Sequence, residues 1–340
     1  MQARRFHSLD ALRGLAALAV VLWHWQHFGA PRAASPLYSI LWPFYAHGGG
    51  AVELFFCLSG FLFTWKYRDA IARGLSPWRF FVLRFSRIYP LHLLTLLTVL
   101  LLHRFLATPL NIYGHGDGYH LALNTLLAQG WGLEQGYSFN GPAWSISVEE
   151  ACYALFFVLC AFRLHRPLVL LGLIVTGHFL LGTGSDLLGR GLLSFFAGAL
   201  VHWVYERAAR PDVSPFCLHA GAAGLAFALF SVTYWPTPHP WELVYFPALV
   251  LSLALFDHWL PARRLTWLGN ISYSVYLWHY PLQILFWQAA LALGLSSSAF
   301  TDPVLLVLFF GTLIPLAFLS FHYFEAPVRR GLRSLLLGPA

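Results

Sequence analysis

The 340-residue sequence predicts an all-α polytopic membrane protein with about ten transmembrane helices and both termini in the cytoplasm. Three observations lead there. Hydrophobic residues make up 58% of the chain and charged residues 10%, whereas a soluble domain is about 25% charged. Mean hydropathy is +0.63. Most of the cations, 20 arginines and Lys66, fall between apolar runs.

The apolar runs give spans at 11–29, 48–65, 86–106, 143–162, 167–184, 188–206, 215–234, 241–260, 270–292 and 303–325. Ten spans of about 20 residues use some 200 residues. The rest suffices for short connections, so residues 1–340 read as one transmembrane domain. The first run follows basic residues, as in a signal peptide. Arg13 and His24 interrupt it and no clear cleavage site follows, so it reads as an uncleaved span. Trp42, Trp65, Trp144, Trp203, Trp235, Trp241, Trp259 and Trp267 cluster near span ends, as an aromatic belt requires. With the N-terminus inside, eighteen cations lie on the cytoplasmic side. Only Arg32, Arg104 and Arg190 lie outside. The longest connection, 107–142, is external and holds Gly114-His115-Gly116-Asp117-Gly118 before an apolar stretch at 119–131. A connection this long is often functional, and it is expected to cover the outer opening or hold an acceptor.

The net charge of +7 does not indicate nucleic acid, because the cations are placed as topology determinants and binders of anionic groups. Cys57, Cys152, Cys160 and Cys217 all lie in apolar runs with no C-x-x-C. Neither a metal site nor a disulfide framework is expected.

An ionisable side chain inside a span costs at least a few kcal/mol unless paired or hydrated. Asp10, Arg13, His24, Glu53, Glu149, Glu150, His279 and Glu325 therefore need explaining. Arg13 and His24 are eleven residues apart, which on an α-helix is three turns plus roughly 20° and about 16 Å. Asp10 lies on nearly the same face. Singly, Arg13 reads as a topology anchor and His24 as a buried histidine bonded to a backbone carbonyl. Together they form a stripe suited to a long ligand with an anionic head inside and a reactive tip in the membrane, the shape of acyl-CoA. Glu53 and Glu149 lie at about the depth of His24. Either can pair with it so that the imidazole deprotonates a hydroxyl, or can form a structural ion pair between spans. Arg84 and Arg87, at i and i+3, share a face at a cytoplasmic mouth and read as phosphate ligands beside Arg13 or as positive-inside charge. Glu325 is the expected structural counter-charge to one of these arginines. His279, with Asn270, Ser272, Tyr273 and Tyr276 before it, forms a polar strip that would line a channel. His103 and His178 have no such company.

Six segments carry a family resemblance. They are Leu9-Asp10-Ala11-Leu12-Arg13-Gly14 through His24, Gly50 to Leu62, and Arg84-Phe85-Ser86-Arg87-Ile88-Tyr89-Pro90. The others are Trp144-Ser145-Ile146-Ser147-Val148-Glu149-Glu150, Leu268 to Pro281, and Phe324-Glu325-Ala326-Pro327. In this order they resemble the acyltransferase-3 family of integral membrane O-acyltransferases. Cys152 stands where an aromatic residue is usual. The resemblance implies transfer of an acyl group, commonly acetyl, from cytoplasmic acyl-CoA to a hydroxyl of a glycan, a lipid-linked sugar or a glycosylated small molecule. It implies His24 as the catalytic residue and Arg13, Arg84 and Arg87 on the CoA side. The expected setting is a bacterial inner membrane, with acyl-CoA as co-substrate, no permanently bound cofactor, and a stand-alone member lacking an extracytoplasmic hydrolase-like domain.

The combined reading assigns catalysis to His24, Glu149, Glu53 and Ser145. CoA binding falls to Arg13, Arg84, Arg87 and Asp10, and the channel or substrate to His279, Tyr276, Asn270 and Trp144. Direct transfer and an acyl-enzyme on His24 or Ser145 both remain open. A multi-span transporter of an anionic or acylated substrate is the main alternative, and predicts flux without thioester cleavage. A sensor or assembly protein is the other.

Overall fold

A computed structural model describes residues 5–106, 110, 112–209, 221, 224 and 242–338. The expected span at 215–234, with Cys217, Arg4, Arg210, Trp235 and Trp241, lies outside the described residues, apart from positions 221 and 224. The described chain is helical, with only an isolated bridge between His115 and Ser138.

The α-helices are α1 (His7–Trp23), α2 (Tyr38–His47), α3 (Ala51–Ala72), α4 (Pro77–Phe105), α5 (Gly118–Thr125), α6 (Trp144–Ala161) and α7 (Pro167–Leu180). They continue with α8 (Asp186–Ala208), α9 (Glu242–Leu255), α10 (Thr266–Ala292), α11 (Pro303–Leu319) and α12 (Ala326–Leu337). Five helical stretches among the described residues are long and apolar enough to cross a membrane: Tyr38–Ala72, Pro77–Phe105, Gly141–Ala161, Asp186–Ala208 and Pro303–Leu337. Pro167–Leu180 and Val244–Leu255 are shorter apolar helices. The helices bearing His24 and His279 are not among the five. For α10 the cause is polarity alone, since it has 27 residues and no Asp, Glu, Lys or Arg.

Several boundaries differ from expectation in ways that matter. Helix α4 starts at Pro77, nine residues before the expected span, because Ser76 caps it by accepting from the Arg79 N–H and Pro77 occupies its first turn. Arg84 and Arg87 therefore lie inside the helix, past its first turn. Helix α1 is regular only to Trp23. His24–Phe28 tighten into a 3-10 turn that Gly29 ends in the left-handed conformation. Ser320–Glu325 form a π turn before α12.

The chain forms two compact units. The first comprises Met1–Ala16, Gly50–Gly74 and Val148–Asn270. Its core is the packing of α3 on α8. A methyl group at Gly198 would overlap the Cys57 backbone, and one at Gly60 the Phe195 backbone, so both positions hold the helices at backbone contact. Phe6, Phe61 and Tyr205 pack edge to face beside this crossing. Arg68 donates in bidentate fashion to Glu206, at 2.7 Å for each bond. Cys57, Cys152 and Cys160 are buried free thiols.

The second unit comprises Ala17–Gly49, Leu75–Ser147 and Ile271–Ala340. Here the long connection is an ordered part of the fold. Asp117 caps α5, accepting from the His120 N–H at 2.9 Å. His92 of α4 bonds the Asn124 carbonyl at 2.8 Å, and Tyr89 donates to the Thr125 carbonyl at 3.0 Å. The connection then returns along α10. Pro281 lacks an N–H, which frees the carbonyl of Leu277 from the helical ladder. The Asn140 amide donates to that carbonyl at 3.1 Å.

Candidate active site

The second unit brings three histidines together. His24 opens the 3-10 turn, His27 follows three residues later, and His279 comes from α10. The His24 ring lies 4.7 Å from that of His27 and 4.8 Å from that of His279, centroid to centroid. All three are anchored through Nδ1. His24 bonds the Val20 carbonyl at 2.9 Å, His279 the Tyr276 carbonyl at 2.5 Å, and His27 the Gln283 side-chain oxygen at 3.1 Å. A carbonyl can only accept, so each Nδ1 carries the proton and each Nε2 presents its lone pair. This is the tautomer a general base needs.

Gln283 holds the turn in place. Its amide nitrogen donates to the His24 carbonyl at 2.9 Å while its oxygen accepts from His27. It is fully buried, four residues after His279 on the same face of α10. Tyr276, one turn before His279, donates to the Pro142 carbonyl at 2.7 Å and lies 2.8 Å from the Ser145 hydroxyl. Ser145 also donates toward Pro142 at 3.3 Å. Beyond them, the Tyr113 ring packs 4.8 Å from Tyr280 and covers Gly141, where any side chain would overlap it. Tyr280 in turn donates to the Leu110 carbonyl at 3.0 Å.

The structure brings together His24 and Ser145, expected in catalysis, and Tyr276 and His279, expected along a channel, with Trp144 buried beside Ser145. The sequence reading missed His27, Gln283, Asn140, Tyr113 and Tyr280. His27 and Gln283 were open to discovery, since they stand at i+3 from His24 and i+4 from His279. The aromatic and amide residues of the connection carry no periodic signal.

Arg84 and Arg87 also belong to the second unit. Arg84 is buried and Arg87 exposed, so their i, i+3 spacing does not give them equal surroundings. Arg329 of α12 interacts electrostatically with both, and Glu325 lies among Arg87 and Arg329 while accepting from Ser274.

The remaining candidates lie in the first unit. Arg13 donates to the Gly269 carbonyl at 2.7 Å and pairs with Asp10 at 3.0 Å. Asp10 also pairs with Arg5 at 2.6 Å, and Arg5 donates to Asn270 at 2.8 Å. Asn270 is therefore part of this ionic group. Glu53, almost fully buried, forms an ion pair with Arg190. Glu149 accepts from Ser59.

Among the described residues, His115, Asp117 and His120 are close enough to hold a metal ion together. Their geometry is poor for it. The two rings stack 4.6 Å apart at 22°, so their in-plane lone pairs run side by side rather than converging. Asp117 spends one oxygen capping α5 and the other on His120 Nδ1, at 2.8 Å.

A family model described as an acyltransferase domain matches residues 6–322. The chain belongs to the acyltransferase-3 family. It is 38% identical over 157 residues to acyltransferase MdmB of Streptomyces mycarofaciens, covering 45% of this chain and 38% of that one. It is 25% identical over 374 residues to O-acetyltransferase OatA of Staphylococcus aureus (96% and 58%). It is 26% identical over 378 residues to peptidoglycan O-acetyltransferase OatA of Listeria monocytogenes (95% and 56%). The chain spans only 38% to 58% of the length of these relatives. No solved structure matches. The matched region contains the whole histidine cluster and stops just short of α12.

Proposed function

We propose that this protein is a membrane O-acyltransferase that moves an acyl group, commonly acetyl, from cytoplasmic acyl-CoA to a hydroxyl of a glycan or glycosylated acceptor. The observation that carries the reading is His24, held by Val20 with its Nε2 lone pair free of the proton. In the proposed step Nε2 takes the proton of the acceptor hydroxyl as its oxygen attacks the thioester carbon. The tetrahedral intermediate collapses with cleavage of the carbon–sulfur bond. The imidazolium returns its proton to the departing sulfur, giving an ester and the free thiol of CoA. His279 and His27 pack against the ring at tilts of 41° and 59°, and Gln283 fixes the turn that presents it.

Direct transfer fits better than an acyl-enzyme on Ser145, because the Ser145 hydroxyl is engaged with Tyr276 and Pro142. The Glu53–Arg190 pair favours a structural role for Glu53. Arg84 and Arg87 of the second unit are assigned to the CoA phosphates, and Arg13 keeps the CoA-side role that the family resemblance implies, with ten spans, cytoplasmic termini and a bacterial inner membrane as the setting. Relatives named O-acetyltransferase and peptidoglycan O-acetyltransferase support the proposed acceptor class.

The test uses purified protein in proteoliposomes with labelled acetyl-CoA and a hydroxyl-bearing glycan oligomer. One acetyl ester on the glycan and one CoA thiol per turnover are expected. Label crossing the bilayer with its thioester intact would overturn the reading in favour of a transporter.

A further inference from the structure

The match to the family ends at residue 322, yet the helix that follows carries three arginines. Arg329 and Arg333 are four residues apart and share a face of α12. That face is docked on α4: Arg333 donates to the Ser86 hydroxyl at 3.1 Å and to the Leu83 carbonyl at 3.2 Å. Both side chains are half-buried, whereas Arg330, one position round, is exposed. Arg329 interacts electrostatically with Arg84, Arg87 and Arg330 and with the Glu325 carboxylate. Glu325 precedes Arg329 by one turn and is itself bound by Ser274. The π turn at Ser320–Glu325 adds a residue to the local repeat and so sets which face of α12 meets α4.

Several guanidinium groups gathered near the Glu325 carboxylate, that of Arg84 buried, make a locus for a multiply charged anion. Planar forked donors match the oxygens of phosphate and carboxylate, and of the two a phosphate carries the greater charge for several guanidinium groups to share. We propose that α4 and α12 together form a phosphate-binding site, with Arg329 and Arg333 completing the pair Arg84 and Arg87. The phosphate can come from acyl-CoA, which rests on the function proposed above, or from an anionic lipid headgroup.

The experiment separates the sources. Protein in phosphatidylcholine nanodiscs is titrated with CoA and with dephospho-CoA, and native mass spectrometry counts phosphatidylglycerol retained on purification. If CoA is the source, Arg329→Gln weakens CoA binding about tenfold or more, the loss of a charge-assisted hydrogen bond, and narrows its advantage over dephospho-CoA. Arg329→Lys recovers part of the loss, and Arg330→Gln changes neither affinity. If a lipid is the source, Arg329→Gln leaves CoA binding alone and strips phosphatidylglycerol. Wild-type protein that fails to bind CoA counts against the acyl-CoA donor, while the lipid arm still decides the site. The site is refuted if Arg329→Gln and Arg333→Gln, eluting and melting as wild type, keep both CoA affinity and lipid.

Discussion

Gln283 touches neither of the reacting groups in the proposed step, yet it should control the rate. Gln283→Met keeps the volume and removes both polar atoms. The His24 carbonyl then loses a donor at 2.9 Å and His27 Nδ1 loses an acceptor at 3.1 Å. Each buried group left unpaired costs about 1–3 kcal/mol, so the two together destabilise the turn by roughly 2–6 kcal/mol. Because His24 opens that turn, the relief comes from moving it. A displacement on the order of 1 Å at a catalytic group costs up to about a hundredfold in rate. Steady-state kinetics with varied acetyl-CoA is the assay. The expected result is a kcat lowered ten- to a hundredfold, on that same estimate, with KM for acetyl-CoA within about twofold because the phosphate-side arginines are untouched. A folded Gln283→Met protein with wild-type kcat would refute the positioning role. An equal loss in kcat and in recoverable folded protein would reduce Gln283 to a packing residue.

Three further outcomes follow from the same geometry. Ser145→Ala should retain between about a tenth and a half of wild-type turnover, since one hydrogen bond contributes about 0.5–1.5 kcal/mol; abolished turnover with an intact fold would point to an acyl-enzyme. Gly198→Val should prevent recovery of monodisperse protein, because its side chain meets the Cys57 backbone, an overpacking cost of about 3 kcal/mol or more; size-exclusion elution checks it. Glu134, in the connection beside Ser138 and Asn124, has its carboxyl pushed above the ordinary 4.5 by burial. The folded state therefore holds the proton more tightly, and stability falls as pH rises from about 4.5 through the raised value. Glu134→Gln should melt above wild type at neutral pH and equal it in acid; a constant difference across pH would refute this.

How much of this was legible in the sequence divides along physical lines. Helix positions were, because apolar runs and arginine placement are one-dimensional signals. The start of α4 was not, because Ser76 and Pro77 begin the helix nine residues early, through a stretch whose apolar run is broken by Arg79 and Arg84. His24 and His279 stood out as polar groups in apolar surroundings, and the family motifs named the same residues. The expectation that His24 bonds a backbone carbonyl and the expectation that it is catalytic were set against each other, yet both fit, since the Val20 bond fixes the tautomer catalysis needs. Glu53 illustrates the opposite limit. Depth matching put it level with His24, but only three-dimensional packing could show Arg190 beside it. The residues of the connection, Asn140 and Tyr113, were invisible because their role depends on a carbonyl freed by Pro281 and on a glycine too small to displace a ring.

The central claim is that His24 is the base for acyl transfer, and replacing it tests that most directly. Wild-type and His24→Ala protein in nanodiscs are compared for acetyl-CoA binding and for release of the CoA thiol in the presence of a glycan acceptor. The account predicts acetyl-CoA affinity within about twofold of wild type, an allowance of about 0.4 kcal/mol, with thiol release lost. A folded His24→Ala protein that binds acetyl-CoA and releases thiol at the wild-type rate would contradict it.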